Sequence, residues 1–304
     1  PQSDATVYEA DNSGEDIKDI SGGDAGVQDA EKTAAVKAVQ ELINALPEEV
    51  TAENAEAVSA QLAAIDEAMA ELTEEQIAEL DMTRLNAVSE AMSAAVAVLA
   101  DGHTHTNMKE WQKKESLPDT KGSYYLTTDV TLADTWIPAD GTMLCLNGYS
   151  ITLNKDNSAV IIIYPNSTFT LHDGTDTGMI THGMNGSTKY TGKGVVLGDG
   201  AIFNMYGGTI SGNDANDSNG GGVFMNNGSS FNMYGGKITG NTGNYGGGVC
   251  MNNGSSTFTM YNGQITDNTS ADGGGVYVFA GSTFTMKGGK ITGNTVTSTG
   301  GGVY

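Results

Sequence analysis

The sequence predicts an α-then-β chain, in which a small three-helix bundle is followed by a three-sided parallel β-helix. Between about Val27 and Leu99 the apolar residues recur at helical spacing. A repeat period of about 20 to 50 residues is the signature of a solenoid, a propeller or another array. Towards the C-terminal end, four segments repeat at spacings of 28, 27 and 26 residues: FNMYGGTISGN at 203, FNMYGGKITGN at 231, FTMYNGQITDN at 258 and FTMKGGKITGN at 284.

Each repeat contains three short strands separated by glycine and asparagine turns. Phe203 and Met205 have the same parity in the first strand, so they point to the same side. A propeller blade would need four strands in about 40 residues, which does not fit this repeat. In a parallel β-helix each repeat is one coil, and equivalent residues of successive coils stack about 4.8 Å apart. The second strand carries an isoleucine, and the third a valine directly after three glycines: Ile210, Ile238, Ile265 and Ile291, and Val223, Val249, Val276 and Val303.

Looser copies of the repeat extend the predicted β-helix back to Ser123, so that it covers 123–304 in about six or seven coils. An insertion around 183–193 lengthens one coil. The pattern stops in mid-coil, and we expect the natural protein to continue. In the segment LCLNGYSITL, the Phe, Met and Ile columns are predicted to hold Leu144, Leu146 and Ile151.

The helical bundle is predicted over 28–100, between a disordered acidic lead at 1–27 and a linker at 101–122. Pro47 ends the first helix, and Thr51 has the position of an N-cap for the second. Thr73 and Gln76 are spaced as a capping box for a short third helix. A last helix, with Leu85 and Val88 on its apolar face, runs to about Leu99.

The net charge of −23 is concentrated in the helical part. Residues 1–100 hold 22 acidic and 4 basic side chains, and residues 101–304 hold 15 and 10. Neither part offers a basic surface for nucleic acid or anionic lipid. No apolar run is long enough to span a membrane. The chain begins without methionine, which is typical of an exported protein after removal of its signal peptide or of a shortened chain.

Aromatic faces stack on sugar rings and on protein partners, so a repeated aromatic column would suit an extended glycan. Cross-strand packing that only stabilises the sheet is the alternative. The candidate binding residues form two outward columns: Tyr206, Tyr234 and Tyr261 in one, and Phe224, Tyr277 and Tyr304 in the other, which Cys250 interrupts.

Two further patterns concern polar residues at the corners of the coils. Asp214 and Asp217 share the loop NDANDSNGGG and are candidate Ca²⁺ ligands, with an ordinary polar loop as the alternative. No other metal or cofactor is predicted. Stacked amides can hydrogen-bond along the axis, so a column of asparagines predicts a structural ladder: Asn213, Asn241, Asn268 and Asn294.

The β region resembles a known superfamily through SYYLTTDVTL…LCLNGYSITL and GGGVY…FTMxGGxITGN. It is similar to the right-handed parallel β-helix of pectate-lyase-like proteins and to the repeats of large surface proteins and adhesins of gut Firmicutes. The helical stretch LINALPEEVTAENAEAVSAQLAAIDEAMAELTEEQIAEL resembles helical modules of Firmicutes surface proteins. These resemblances imply a secreted, Gram-positive cell-surface protein.

The resemblance also implies that an enzyme is possible, because the pectate-lyase-like superfamily contains polysaccharide lyases and glycoside hydrolases. A lyase needs a basic residue, and the single arginine, Arg84, lies in the helical part. A hydrolase needs convergent carboxylates, and the acids of the β region are scattered. The sequence therefore predicts no catalytic residue. It predicts a non-catalytic adhesin or stalk module for an extracellular glycan or host surface protein, with a carbohydrate-active enzyme or a passive spacer as alternatives.

Overall fold

In a computed structural model, a few helices are followed by a parallel β-solenoid of about six turns. The structure describes residues 23–50, 54–89, 91, 105, 107–175, 177–216, 218–252 and 254–304. The chain divides into two compact units, with a boundary between Val88 and Ser89. Most of the predicted acidic lead and the end of the predicted bundle lie outside the described residues.

The helical unit contains α1 (Gly23–Asn44), α2 (Ala55–Ala70) and α3 (Glu74–Ala78), with further helical residues at 83–89. Apolar residues that recur at helical spacing in this region are buried at Val39, Ile43, Leu46, Val58, Leu62 and Ile65. The predicted N-cap, Thr51, and the end of the last helix up to Leu99 lie outside the described residues. The three-helix bundle therefore stays a prediction.

The predicted capping box at the start of α3 is confirmed. The Gln76 backbone N–H donates to Thr73 Oγ1 at 3.3 Å, and the Thr73 N–H donates to Gln76 Oε1 at 2.8 Å. Polar contacts also join the helical segments, because Arg84 Nε donates to the Leu46 carbonyl at 2.7 Å. None of the described helices is long and apolar enough to cross a membrane.

The first strands of the solenoid are β1 (Lys109–Trp111), β2 (Ser123–Leu126), β3 (Val130–Leu132), β4 (Thr142–Cys145), β5 (Ile151–Leu153), β6 (Ile161–Ile163), β7 (Thr168–His172), β8 (Met179–His182), β9 (Met184–Asn185), β10 (Thr188–Lys189) and β11 (Val195–Leu197). The regular repeats follow as β12 (Ile202–Met205), β13 (Thr209–Ser211), β14 (Val223–Met225), β15 (Ser230–Met233), β16 (Lys237–Thr239), β17 (Val249–Met251), β18 (Thr257–Met260), β19 (Gln264–Thr266), β20 (Thr269–Ser270), β21 (Val276–Val278), β22 (Thr283–Met286), β23 (Lys290–Thr292) and β24 (Thr295–Val296).

Three parallel sheets run along the solenoid. Sheet A has the order β1-β2-β4-β7-β12-β15-β18-β22, sheet B the order β3-β5-β8-β13-β16-β19-β23, and sheet C the order β6-β11-β14-β17-β21. Each of the first three regular coils contributes one strand to each sheet, as the sequence predicts. The fourth contributes β22 and β23, and its Val303 pairs with Val276 as an isolated bridge. The insertion predicted at 183–193 contains the antiparallel hairpin of β9 and β10. The right-handed turn and the three-sided cross-section stay predictions.

The register of the regular repeats follows the predicted columns, since Phe203, Phe231, Phe258 and Phe284 are direct partners. Ile151 also lies in the predicted Ile column, through Ile180. The prediction for the first strand of that coil was wrong, because Leu144 lies in the Met column. Thr142 occupies the Phe column instead of Leu144, and Leu146 lies beyond both columns. A shift of two residues keeps the same side chains inward, so parity alone could not exclude it.

The predicted linker at 101–122 already contains part of the solenoid. β1 pairs in parallel with β2, and Leu117 is buried in the core of the solenoid. Both tryptophans pack in this first part, where Trp111 Nε1 donates to the Ser116 carbonyl at 2.7 Å and Trp136 Nε1 to the Pro118 carbonyl at 2.8 Å. The repeat pattern does not extend into this segment. These contacts could therefore not be predicted from the sequence.

Candidate binding face

The first predicted binding column, Tyr206, Tyr234 and Tyr261, is buried, with exposed fractions of 5%, 2% and 7%. The rings stack on one another with centroids 4.6 Å apart in both steps. His172 stacks on Tyr206 at 4.7 Å, and Lys287 Nζ lies 5.0 Å from the centre of the Tyr261 ring. The expectation of an exposed aromatic surface at this column was therefore wrong, because each ring is covered by its neighbours.

The second predicted column lies on sheet C, where Phe224, Cys250 and Tyr277 are direct partners on β14, β17 and β21. Phe224 and Tyr277 are half-buried, and Tyr304 is 54% exposed. Cys250 is buried at the position where the sequence predicted an interruption. Of the two predicted columns, this one retains rings that solvent can reach.

Tyr245 completes this column, and the sequence reasoning missed it. Its ring stacks on Tyr277 at 4.9 Å, and Tyr277 stacks on Tyr304 at 5.2 Å. We call Tyr245, Tyr277 and Tyr304 the tyrosine row. Tyr245 precedes a glycine triplet rather than following it, so it belongs to a different column of the repeat. The sequence did contain a signal for Tyr245. It is an aromatic residue at a repeat position that the other coils fill with Asn219, Asp272 and Thr299.

The stacking determines which part of each ring is available. Rings that stack face to face in a row cover one another, so solvent reaches mainly their edges and hydroxyl groups. At Phe224, the Lys193 Nζ lies 5.3 Å from the ring centre, in a cation–π contact. The expected stacking of sugars on a column of open ring faces is therefore not available along this row.

Polar and apolar side chains flank the tyrosine row at the ends of the sheet C strands. Asn226 and Asn252 follow β14 and β17, and Phe279, which is 46% exposed, follows β21. Asn252 Oδ1 accepts a long hydrogen bond of 3.4 Å from Asn219 Nδ2. We call the tyrosine row together with Phe224, Asn226, Asn252 and Phe279 the sheet C face.

The tyrosine hydroxyls are close enough to influence one another. The pKa of Tyr277 is raised above its ordinary value, first by partial burial, then by Tyr304 and Tyr245, with smaller effects of Cys250 and Asp272. The phenol of Tyr277 is therefore protonated at neutral pH, and a phenol can both donate and accept hydrogen bonds.

The candidate calcium ligands do not form a described cluster. Asp214 Oδ1 accepts a hydrogen bond of 2.8 Å from the Asn216 N–H, which is a local turn contact, and Asp217 lies outside the described residues. Within the described part of the chain, no group of three or more His, Cys, Asp or Glu side chains is arranged to hold a metal ion. The calcium site stays a prediction.

Several carboxylates of the β region bind backbone N–H groups between coils. Asp173 accepts from the Gly148 and Gly178 N–H groups at 2.8 and 2.7 Å. Asp272 accepts from the Thr299 N–H and hydroxyl at 3.0 and 2.7 Å, and hydrogen bonds from the Thr299 and Ser298 side chains lower its pKa. Similar contacts at 2.8–2.9 Å involve Asp129, Asp140 and Asp156. These acids hold the corners of the solenoid.

Both cysteines are buried free thiols. Burial raises the pKa of Cys145 to about 11 and that of Cys250 to about 12. The nucleophilic form of a cysteine is the thiolate. Neither side chain is therefore prepared for nucleophilic chemistry at neutral pH.

The predicted asparagine ladder is present and has a direction. Asn241 Oδ1 accepts from the Asn213 backbone N–H and from Asn213 Nδ2, both at 3.0 Å, and Asn241 Nδ2 donates to Asn268 Oδ1 at 3.0 Å. Asn294 closes the series. At the other end, His182 Nδ1 lies 2.9 Å from Asn213 Oδ1, and its Nε2 lies 3.1 Å from the Ser158 carbonyl. His182 thus takes the place of an asparagine in the ladder.

We expect His182 to make the solenoid less stable in acid. Burial lowers its pKa below the ordinary 6.5, against the opposing effects of Asn213 and Ser158. The unfolded chain then binds the proton more readily than the folded chain, so the free energy of unfolding falls as the pH drops below about 6.5. The measurement is the free energy of unfolding by denaturant, determined for the wild type and for His182→Gln at several pH values between 7.5 and 5.

The wild type should lose stability relative to His182→Gln as the pH falls. His105→Gln is the matched control, because His105 stacks on Tyr125 and lies apart from the ladder. Parallel curves for the wild type and His182→Gln would contradict the prediction. Lys189, whose charge lowers the pKa of His182, and Asp156, which raises it, are present in all three proteins.

No protein-family model matches this chain, and searches of the curated proteins and of the solved structures found no significant match. The structural conclusion is therefore the fold itself, a parallel β-solenoid that follows a few helices.

Proposed function

We propose that this chain is a non-catalytic module of a secreted, Gram-positive cell-surface protein, and that it binds an extracellular glycan through the sheet C face. The observation that carries the proposal is the tyrosine row beside the Asn226 and Asn252 carboxamides. Phenol and carboxamide groups both donate and accept hydrogen bonds, as sugar hydroxyls require. The resemblance to pectate-lyase-like repeats and to Firmicutes adhesins supports the same class of protein.

The surface chemistry favours a glycan over other ligands. A net charge of −23 disfavours nucleic acids and anionic lipids, because both carry negative charge. A protein on the host surface is the second ligand class compatible with exposed Phe279 and Tyr304. The hydroxyl groups of the row are the feature that distinguishes a glycan surface from an apolar protein interface.

The other two functions have weaker support in the geometry. A hydrolase needs free convergent carboxylates, whereas Asp129, Asp140, Asp156, Asp173 and Asp272 accept hydrogen bonds from backbone N–H groups. A passive spacer needs a rigid solenoid. The buried tyrosine column and the asparagine ladder make the solenoid rigid. Rigidity also serves an adhesin, so the binding experiment decides between the two.

A glycan array probed with the whole chain tests the proposal. Binding should occur and should fall when Tyr277 and Phe279 are both changed to alanine. Met184→Ala is the control, because Met184 is an exposed apolar residue on the hairpin of β9 and β10. Binding that survives the double change would place the site elsewhere on the chain. Release of reducing ends or unsaturated products from a polysaccharide incubated with the chain would favour the enzyme. If no glycan on the array is bound, the remaining functions are a passive spacer and a module that binds a host surface protein.

A further inference from the structure

We infer that the ligand of the sheet C face is a straight, uncharged, β-1,4-linked glycan that lies parallel to the solenoid axis with one sugar per coil. This inference rests on the proposed glycan binding and specifies the class of glycan. The tyrosine row supplies one phenol from each of three successive coils.

The spacing along the row sets the period of the ligand. The ring centroids of Tyr245, Tyr277 and Tyr304 are 4.9 and 5.2 Å apart, close to the strand spacing of about 4.8 Å that the solenoid imposes. A β-1,4-linked pyranose chain runs nearly straight and advances by almost this distance per sugar. Each sugar could then meet one hydroxyl group of the row without a change of register.

The same spacing argues against other linear ligands. An extended peptide advances by about 3.3 Å per residue, so its groups would lose register with the row after one or two coils. An α-1,4-linked glycan curves into a helix and would leave a straight row after a few sugars. The geometry therefore favours the β-linked glycan over a peptide strand or a starch-like chain.

A second line of groups runs beside the row with the same period. Asn226 and Asn252 occupy equivalent places in successive coils, and Phe279 occupies the next. Asn226 Nδ2 donates to the Leu197 carbonyl at 2.8 Å, which fixes the orientation of its amide and leaves the oxygen as an acceptor. A chain between the two lines would have hydrogen-bonding groups on both sides at the coil of Tyr245 and Asn252, and an apolar contact with Phe279 at the next coil.

The charges near the face select an uncharged chain. Lys193 is engaged over the Phe224 ring, and Asp272 lies near Tyr277 and is bound to Thr299. Residues 101–304, which contain the face, hold 15 acidic against 10 basic side chains. A polyuronate would place one carboxylate per sugar against this negative charge, which is unfavourable at moderate salt.

Contacts of this kind predict weak binding per sugar and a strong dependence on chain length. A hydrogen bond exposed to water contributes little by itself, because it replaces bonds to water. Linked sugars bind with a high effective concentration once the first is in place. The affinity should therefore rise with each added sugar until the row is filled, and then level off.

Isothermal titration with cello-oligosaccharides and chito-oligosaccharides of two to six sugars tests the inference, with maltohexaose and a hexagalacturonate as comparison ligands. The affinity should increase with length for at least one β-1,4 series, and both comparison ligands should bind at least about tenfold more weakly, which corresponds to one or two ordinary hydrogen bonds. Equal binding of disaccharide and hexasaccharide, or a preference for either comparison ligand, would overturn the inference.

The triple variant Tyr245→Phe, Tyr277→Phe and Tyr304→Phe removes three hydroxyl groups and keeps the ring stack. It should lose at least about tenfold in affinity for the hexasaccharide, again the effect of one or two hydrogen bonds. The control is Tyr125→Phe, Tyr149→Phe and Tyr190→Phe, three half-buried tyrosines outside the sheet C face. If both triple variants bind like the wild type, the row is not the site.

The two proposals fail in different ways. If the array shows binding of a branched or charged glycan and the β-1,4 series does not bind, the inference is wrong and the glycan-binding function stands. If no glycan binds on the array or in titration, the proposed function itself is wrong.

Discussion

Replacing Phe231 with alanine is expected to lower the free energy of unfolding of the solenoid by about 3–5 kcal/mol, the cost of removing a buried aromatic ring. Phe231 is fully buried, and its ring stacks between Phe203 at 5.0 Å and Phe258 at 4.7 Å. The change leaves a cavity and removes a partner from both neighbours. Denaturant unfolding followed by the β-sheet circular dichroism signal measures the loss.

Phe284→Ala provides a matched control within the same column. Phe284 is only partly buried, and Phe258, at 4.9 Å, is the ring neighbour described for it. Its loss should cost less than half as much as that of Phe231, since less apolar surface returns to water. Equal losses of unfolding free energy at the two positions would contradict the prediction. The assignment of the core would then need revision.

The second large effect is expected at Asn241. Changing it to alanine should lower the free energy of unfolding by about 3 kcal/mol or more, because each buried polar group left without a partner costs about 1–3 kcal/mol. Asn213 loses the acceptor of its backbone N–H and of its Nδ2, since both donate to Asn241 Oδ1 at 3.0 Å. Asn268 Oδ1 and the Ile210 carbonyl lose Asn241 Nδ2 as a donor at 3.0 Å, and Asn268 Oδ1 keeps the Asn241 N–H. Denaturant unfolding again provides the measurement.

Two further variants separate the ladder from simple loss of volume. Asn241→Asp keeps the shape but replaces the donor Nδ2 with a second acceptor, so it should destabilise the fold at neutral pH at least as much as alanine. Asn294→Ala, at the partly exposed end of the ladder, should cost less. If Asn241→Asp were as stable as the wild type, the ladder could not have the direction described here.

These two expected effects concern positions of the repeat that stabilise the solenoid, and they differ from the positions proposed for recognition. The phenylalanine stack, the asparagine ladder and the buried tyrosine column occupy three positions in each of the first three regular coils. The sheet C face combines regularly placed aromatic and amide groups with access to solvent, and the proposed binding depends on that combination. Stability variants and binding variants should therefore fall at different positions of the repeat.

The sequence alone was sufficient to predict the solenoid, because a strand alternates its two faces and a coil repeats at nearly constant length. Phe203, Phe231 and Phe258 could be placed in one column before any coordinates, and the register confirms it. The asparagine ladder and the Thr73–Gln76 capping box were predictable for the same reason, since each depends on local spacing.

The tertiary structure decided which outward residues solvent can reach. Parity predicts the face of a strand, but exposure depends on the rings and loops that pack over that face. This is why Tyr234 is buried although the sequence placed it on a binding surface, and why Tyr245, from another position in the repeat, stacks on Tyr277. It also explains β1, because a single short strand has no repeat to reveal it and pairs only through contacts distant in sequence.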